Sequence, residues 1–228
     1  MAKLQNVTRA HLGLLLANLV WAVNYPFYKV LMPHYITPVA LATFAVTVAG
    51  LLGLVSLFWG GIEKIDRNDI YKFIGAALLM GIAKKLLLMI GMQHTSPIEA
   101  SIIATLGPIL VLVFSFFFGI DRFTPMKVFG MVLGMGGALL VIVSGGGAVT
   151  SGEKLMGNLF VVGATAASSF SMVWLKGLIM KYRPITVLRV YYPMAAVMLL
   201  PFGSDSMIHT DFAAMPAEAL WMFFYVIL

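Results

Sequence analysis

Residues 95–143 read TSPIEASIIATLGPILVLVFSFFFGIDRFTPMKVFGMVLGMGGALLVIV, and this stretch decides the fold. Two apolar runs are joined by a short polar link at residues 119–124. Each run opens with a hydroxyl residue followed by proline, Ser96-Pro97 and Thr124-Pro125. That order is a helix N-cap followed by proline at the first helical position, where the missing N–H removes no hydrogen bond. Ser96-Pro97-Ile98-Glu99 also has the spacing of a capping box, which places Glu99 to reach back to the cap amide. Each run approaches the ~20 residues that cross a hydrocarbon core of ~30 Å. The stretch is therefore a hairpin of two membrane helices.

Composition extends that conclusion to the whole chain. Of 228 residues, 61% are hydrophobic and 11% charged, and the mean hydropathy is +0.98. A soluble domain carries roughly 25% charged residues, so charge here is too scarce to coat a globule. The apolar runs do not alternate with polar residues as barrel strands would. The expected fold is an all-α membrane protein, a polytopic helical bundle. The net charge of +6 belongs to loops facing the cytoplasm rather than to nucleic acid. With no cysteine, a disulfide framework and a thiolate metal site are excluded. Lys3 and Arg9 precede an apolar stretch too long for a signal peptide and without a clear cleavage site, so it reads as a retained first helix.

The spacing predicts helices at about 11–30, 37–59, 71–91, 97–118, 125–143, 155–181 and 185–202, and an eighth from about 216. Lys3, Arg9, Lys64, Arg67, Lys72, Arg122, Lys127, Lys181 and Arg183 fall on one side; Lys154 and the helix-end Lys29 fall on the other. The N-terminus is thereby expected in the cytoplasm, and Asp205 and Asp211 in a loop on the opposite side. Residues 217–228 reach only ~18 Å as a helix, against ~30 Å of hydrocarbon. The expectation is an N-terminal portion of a longer protein.

Helices 6 and 7 echo helices 1 and 2. Gly157 follows Gly13 by 144 positions, which sets Ser168 against Asn24; Pro184 follows Pro38 by 146, which sets Arg189 against Thr43. A repeat of five helices must re-enter the membrane with opposite orientation, the inverted plan of many secondary transporters. The expected organisation is a first repeat at 1–143, a glycine-rich link at 144–152, and a partial second repeat at 153–228, with ten helices in all and about seven and a half present.

Thr95-Ser96-Pro97, Ala100-Ser101, Pro108, Thr124, Gly130 and Gly137, with Trp21 to Pro26 in the first helix, resemble the EamA family of the drug/metabolite transporter (DMT) superfamily. The resemblance covers essentially the whole chain. Where the family usually has glutamate after helix 4, this chain has Asp121; where arginine is frequent in helix 2, it has Thr43, with Arg189 at the repeat position. The resemblance implies a ten-helix permease of the inner membrane that moves small metabolites, often amino acids in export, by alternating access.

Lys84 and Lys85 are the least expected pair in an apolar helix. Lys84 lies ~20 Å from the helix start, and lysine at mid-membrane costs about 2.5–3.5 kcal/mol on insertion scales. Ideal helical spacing puts Lys84 on the face of Ala77 and Gly81, pointing inward, with Lys85 ~100° round the helix. Snorkelling to the headgroups is the competing reading, but helical side chains lean toward the N-terminus, which disfavours it. Arg189 reads as an interfacial anchor or, with Tyr191 and Tyr192, as a substrate contact. Trp21, Asn24 and Tyr28 share one face of helix 1, which Pro26 is expected to interrupt. Ser168 and Ser169 read as packing residues. Gly107-Pro108 reads as a kink beside a cavity, Glu99 as a cap rather than a proton carrier. Gly134-Met135-Gly136-Gly137 is mid-helix packing rather than a nucleotide loop. The cavity candidates are thus Trp21, Asn24, Tyr28, Lys84, Lys85, Arg189 and Tyr192.

No H-E-x-x-H, G-x-S-x-G or pair of deep aspartates occurs, and the four histidines fall at predicted helix ends or loops. The function expected is a secondary transporter that uses no cofactor; a membrane-embedded enzyme and a non-transporting scaffold are the alternatives. A small-molecule substrate and the lipid bilayer are the expected partners, with a homodimer as a further expectation and no nucleic acid.

Overall fold

Hydroxyl–proline steps start the helices as their chemistry requires. In the computed structural model, which describes residues 2–144 and 152–228, Thr37 Oγ1 accepts from the Ala40 N–H at 3.2 Å, Ser96 Oγ from Glu99 at 3.2 Å and Thr124 Oγ1 from Lys127 at 3.4 Å. The elements are α1 (Ala2–Leu31), α2 (Pro38–Val55, continued by a 3₁₀ turn Ser56–Trp59) and α3 (residues 70–94). They continue with α4 (two halves, Pro97–Ala104 and Gly107–Phe117), α5 (Pro125–Ser144), α6 (Gly152–Trp174, followed by the short helix Lys176–Lys181), α7 (Pro184–Ile208) and α8 (Ala217–Ile227). Among the described residues six helices, α1 to α4, α6 and α7, are long and apolar enough to cross a membrane. The chain is an all-α, multi-pass membrane protein. The link expected at 144–152 lies almost entirely outside the described residues.

Several expectations need correction. Residues Ala77–Ala83 of α3 form a π-helical segment, so the α-helical face arithmetic fails across it. α1 begins at Ala2, which puts His11 inside a helix; α7 runs on to Ile208, which puts Asp205 in its last turn; Lys154 lies in the first turn of α6. Pro26 lies inside α1, where it contributes no N–H to the helix. The capping box at Ser96 is half formed. Ser96 caps, but the buried Glu99 side chain turns away to Lys154 at 2.6 Å, accepts from the Thr95 hydroxyl at 3.0 Å and lies 3.4 Å from the Asn158 amide nitrogen. A charged partner outweighs a single amide.

In lipid, helices gain little from hiding apolar side chains, so close backbone approach and satisfied polar groups hold them together. α7 lies along α2, α6 along the second half of α3 and both halves of α4, and α8 against α1. The α2–α7, α3–α6 and α1–α8 pairings are unchanged when 1, 2 and 3 are exchanged with 6, 7 and 8. Small residues line the contacts: Gly50 of α2 meets the Tyr192 carbonyl, and Gly91 of α3 meets Gly157 of α6 backbone to backbone. Leucines such as Leu15, Leu19, Leu133 and Leu140 remain outward-facing.

At the lysine-rich end, residues 60–69 are tied to residues 181–183. Asp69 binds Lys72 at 2.9 Å, Lys181 at 2.7 Å and the Tyr182 hydroxyl at 2.9 Å; Lys181 also pairs with Asp66. Glu63 accepts from the Arg183 N–H at 2.9 Å. Asp66 and Asp69 hold the Lys181 ammonium above the usual lysine range. Asp121 holds Lys127 through both oxygens at 2.7 Å, which lowers its own carboxyl below the usual aspartate range.

A Cβ on Gly157 would lie 2.8 Å from His94 Cβ and 2.9 Å from the Gly91 carbonyl oxygen, whereas nothing lies within 4 Å of one on Gly130. Gly157→Val is therefore expected to force α3 and α6 apart at a cost of about 1–3 kcal/mol. The measurement is thermal unfolding in detergent, with Gly130→Val unfolding as the wild type does.

Candidate functional site

Where α4 breaks, four helices leave a cavity of about 590 Å³. The break has a covalent cause: Pro108 has no N–H to continue the ladder. Thr105 and Leu106 tighten instead into 3₁₀-type bonds to the Ile102 and Ile103 carbonyls, both at 3.0 Å. Ser169 Oγ of α6 donates to the Gly107 carbonyl at 3.1 Å and pins the break to the neighbouring helix. Gly107, Pro108 and Ala104 form one wall of the cavity. Thr165, Ser168 and Ser169 of α6 supply hydroxyls, and Asn18, Trp21 and Tyr25 come from α1. Leu88, Val111, Ala164 and Met172 make the rest of the lining apolar.

Lys84 enters this cavity from α3, its Nζ 4.9 Å from the Trp21 ring centroid. An ammonium over an indole face is a cation–π contact. Lys84 lies ten positions before the end of α3 at His94, so it sits ~15 Å along the helix from that end, about half the ~30 Å of a hydrocarbon core. Among the described residues none that lines the cavity is acidic. The π segment places it here. Gly81 packs directly on Ala195 of α7, and Ala77 is fully buried in the same core. The extra residue in the wide turn carries Lys84 off that face, toward α1 and α6.

Lys85 points elsewhere. Its Nζ donates to the Tyr28 hydroxyl at 3.4 Å and lies 5.8 Å from that ring. Tyr28 is 2% exposed. Tyr192 is stacked on Tyr191 with ring centroids 4.3 Å apart. The two lysines therefore serve two separate aromatic surroundings. The Asn24 carboxamide oxygen is buried and accepts no hydrogen bond among the described residues. The face of α1 in the cavity is Asn18, Trp21 and Tyr25, one stripe round from the expected Trp21, Asn24 and Tyr28. Both stripes carry polar and aromatic residues at helical spacing, so the sequence alone offers no signal to choose between them.

Arg189 is not brought to the cavity. It is buried and spends its guanidinium on the end of α2: Nε to Ser56 Oγ at 2.8 Å, Nη1 to the Gly60 and Gly61 carbonyls at 2.6 Å each, and Nη2 to the Ser56 carbonyl at 2.6 Å. The last carbonyls of a helix have no partners of their own and carry partial negative charge, so a forked cation satisfies them. Lys29 does the same for α3, donating to the Gln93 carbonyl at 2.9 Å and the Met92 carbonyl at 3.3 Å.

The sequence profile of the EamA-like transporter family matches residues 8–143. An uncharacterized transporter of Archaeoglobus fulgidus is 26% identical over 173 residues, covering 76% of this chain and 60% of the relative. The uncharacterized transporter YvbV of Bacillus subtilis is 26% identical over 203 residues, covering 88% and 65%. The chain thus spans about 60–65% of the length of these curated relatives. A solved crystal structure of a protein superposes with a TM-score of 0.55 at 18% identity, over 92% of this chain and 78% of that one. That likeness concerns the fold alone.

The geometry at Arg189 separates stability from recognition. Arg189→Lys keeps the charge but loses the fork, and with it hydrogen bonds to the part-buried carbonyls of Ser56, Gly60 and Gly61 worth about 1 kcal/mol. It is expected to lower the unfolding temperature in detergent while leaving the concentration dependence of ligand binding unchanged, as measured by titration of the purified variant.

Proposed function

The chain belongs to the EamA-like transporter family, and on that premise we propose that the whole protein is a secondary transporter of small metabolites such as amino acids. It works across the cytoplasmic membrane by alternating access, in the direction of export, with the lysine-rich end in the cytoplasm. The distribution of lysine and arginine supports that orientation. The observation that carries the reading is Lys84: an intramembrane ammonium, against an indole ring, in a cavity whose lining includes no carboxylate. Keeping a charge at that depth costs several kcal/mol, and a bound anionic group offsets that cost when the cavity is loaded. The hydroxyls of Ser168 and Thr165 and the apolar remainder of the wall suit a small molecule with one charged end and an uncharged body. Nothing in this arrangement resembles a nucleophile beside a base, so the reading is transport rather than catalysis.

The test is transport of radiolabelled amino acids by proteoliposomes that contain the complete gene product. Lys84→Ala is expected to lower the initial rate at least ~10-fold, the effect of losing about 1.4 kcal/mol from the loaded state. Lys84→Arg retains the charge and is expected to recover part of the rate. Transport by Lys84→Ala at the wild-type rate and affinity would sink the proposal.

A further inference from the structure

A second hollow, separate from the Lys84 cavity, lies between α2, α3 and α7. We propose that it binds one phospholipid with an ammonium-bearing headgroup, of the phosphatidylethanolamine class. The groove has a volume of about 460 Å³, and every residue that lines it is apolar. Leu78, Ile82, Leu86 and Ile90 of α3 form one wall, Met198 and Phe202 of α7 the other. Leu78 to Ile90 spans ~18 Å of helix, close to the ~15 Å that one leaflet contributes to a hydrocarbon core. The slot therefore has the depth of one acyl chain lying along the helices. A polar hollow of about 320 Å³ follows at the end of α7, bordered by Tyr35, Thr37, Asp205, Ser206 and His209. Helical positions advance ~100° per residue, so Met198, Phe202, Asp205 and His209 share one face of α7. Val39 borders the groove and Thr37 the polar hollow, so the start of α2 joins the two as well.

An apolar slot that opens into a polar hollow at headgroup depth has the shape of a lipid, and the hollow selects the headgroup. Among the described residues Asp205 has one ion-pair partner, His209 at 3.4 Å, and no lysine or arginine lines the hollow. A carboxylate in that position favours an ammonium, which also donates hydrogen bonds to it. Thr37 accepts the Ala40 N–H through its oxygen and keeps its own O–H for a phosphate, as do the hydroxyls of Tyr35 and Ser206 in the same hollow. A lipid with a phosphate but no ammonium brings a second negative charge to Asp205. Protein does not compete for the groove on the plan of the bundle. α4 packs chiefly on α6, and exchanging α1 with α6 seats the equivalent helix of a second repeat on α1.

The experiment is photo-crosslinking of the complete gene product in phosphatidylglycerol vesicles. Two trace probes carry the same diazirine acyl chain, one on phosphatidylethanolamine and one on phosphatidylglycerol, and labelled positions are mapped by peptide mass spectrometry. Labelling by the phosphatidylethanolamine probe is expected to concentrate on residues 78–90 and 198–202 and to fall when unlabelled phosphatidylethanolamine is added. It is expected to exceed labelling by the phosphatidylglycerol probe there by ~5-fold, the upper range of an exposed ion pair. The outward-facing Leu15 and Leu19 of α1 are the control for ordinary lipid contact, where the two probes are expected to label alike. Asp205→Asn is expected to bring the ratio in the groove close to that control while the phosphatidylglycerol probe labels as before. An unchanged ratio in Asp205→Asn overturns the headgroup assignment. Equal labelling of the groove by both probes in the wild-type protein overturns it too, whether or not the variant folds. A groove that labels no more than Leu15 and Leu19 overturns the site itself, as does a groove closed to both probes because a downstream helix or a second copy covers it.

Discussion

A carbonyl or N–H that lipid cannot hydrate must find its partner inside the protein, and this constraint shapes the ends of α2 and α3 and the break in α4. Arg189 reaches from α7 to satisfy the end of α2, and Lys29 from α1 to satisfy the end of α3. In each case a cation that a charge count would assign to the interface is spent on a helix terminus. Ser169 reaches from α6 to the break in α4. Neighbouring helices are thus joined by the backbone groups that helical geometry leaves over, with glycines such as Gly91 and Gly157 bringing the axes close enough for it.

The same constraint explains why the cavity lies where it does. A broken helix in lipid is tolerated only where protein or an interior space takes up the released groups. α4 breaks against α6 and beside α1, and the cavity occupies the gap. On its far side the buried Glu99, Thr95 and Asn158 form a polar knot with the half-buried Lys154 between the start of α4 and α6. Toward the lysine-rich end the Phe114, Phe118, Phe170 and Trp174 rings pack across α4 and α6. One end of the cavity is bounded by charge and the other by aromatic packing.

Much of the fold was legible because its signals are covalent or local. A hydroxyl followed by proline starts a helix wherever it stands, and Gly107-Pro108 announces the break in α4 because the missing N–H is a property of the residue. The site was less legible. The direction of Lys84 depends on a π turn that leaves no mark on the pattern of apolar residues from Ala77 to Ala83. The true face of α1 competes with an equally aromatic stripe, and only its neighbours decide. Glu99 had a local explanation as a cap, and it took Lys154, 55 positions away in the sequence, to draw its carboxylate elsewhere. Arg189 was conspicuous, but the carbonyls that engage it belong to a loop whose path no spacing rule predicts.

The π segment in α3 also bears on how related chains compare. A π turn is an α turn that has absorbed one more residue. The stretches on either side keep their own partners: Phe73 and Ala76 in one core, Leu88, Met89 and Met92 in the other. A homologue whose third helix is α throughout would present the same two faces with one residue fewer between them. Its deletion would then fall in the middle of a membrane span rather than in a loop, and a comparison that forbids gaps there would match every residue from Lys84 onward to the wrong neighbour.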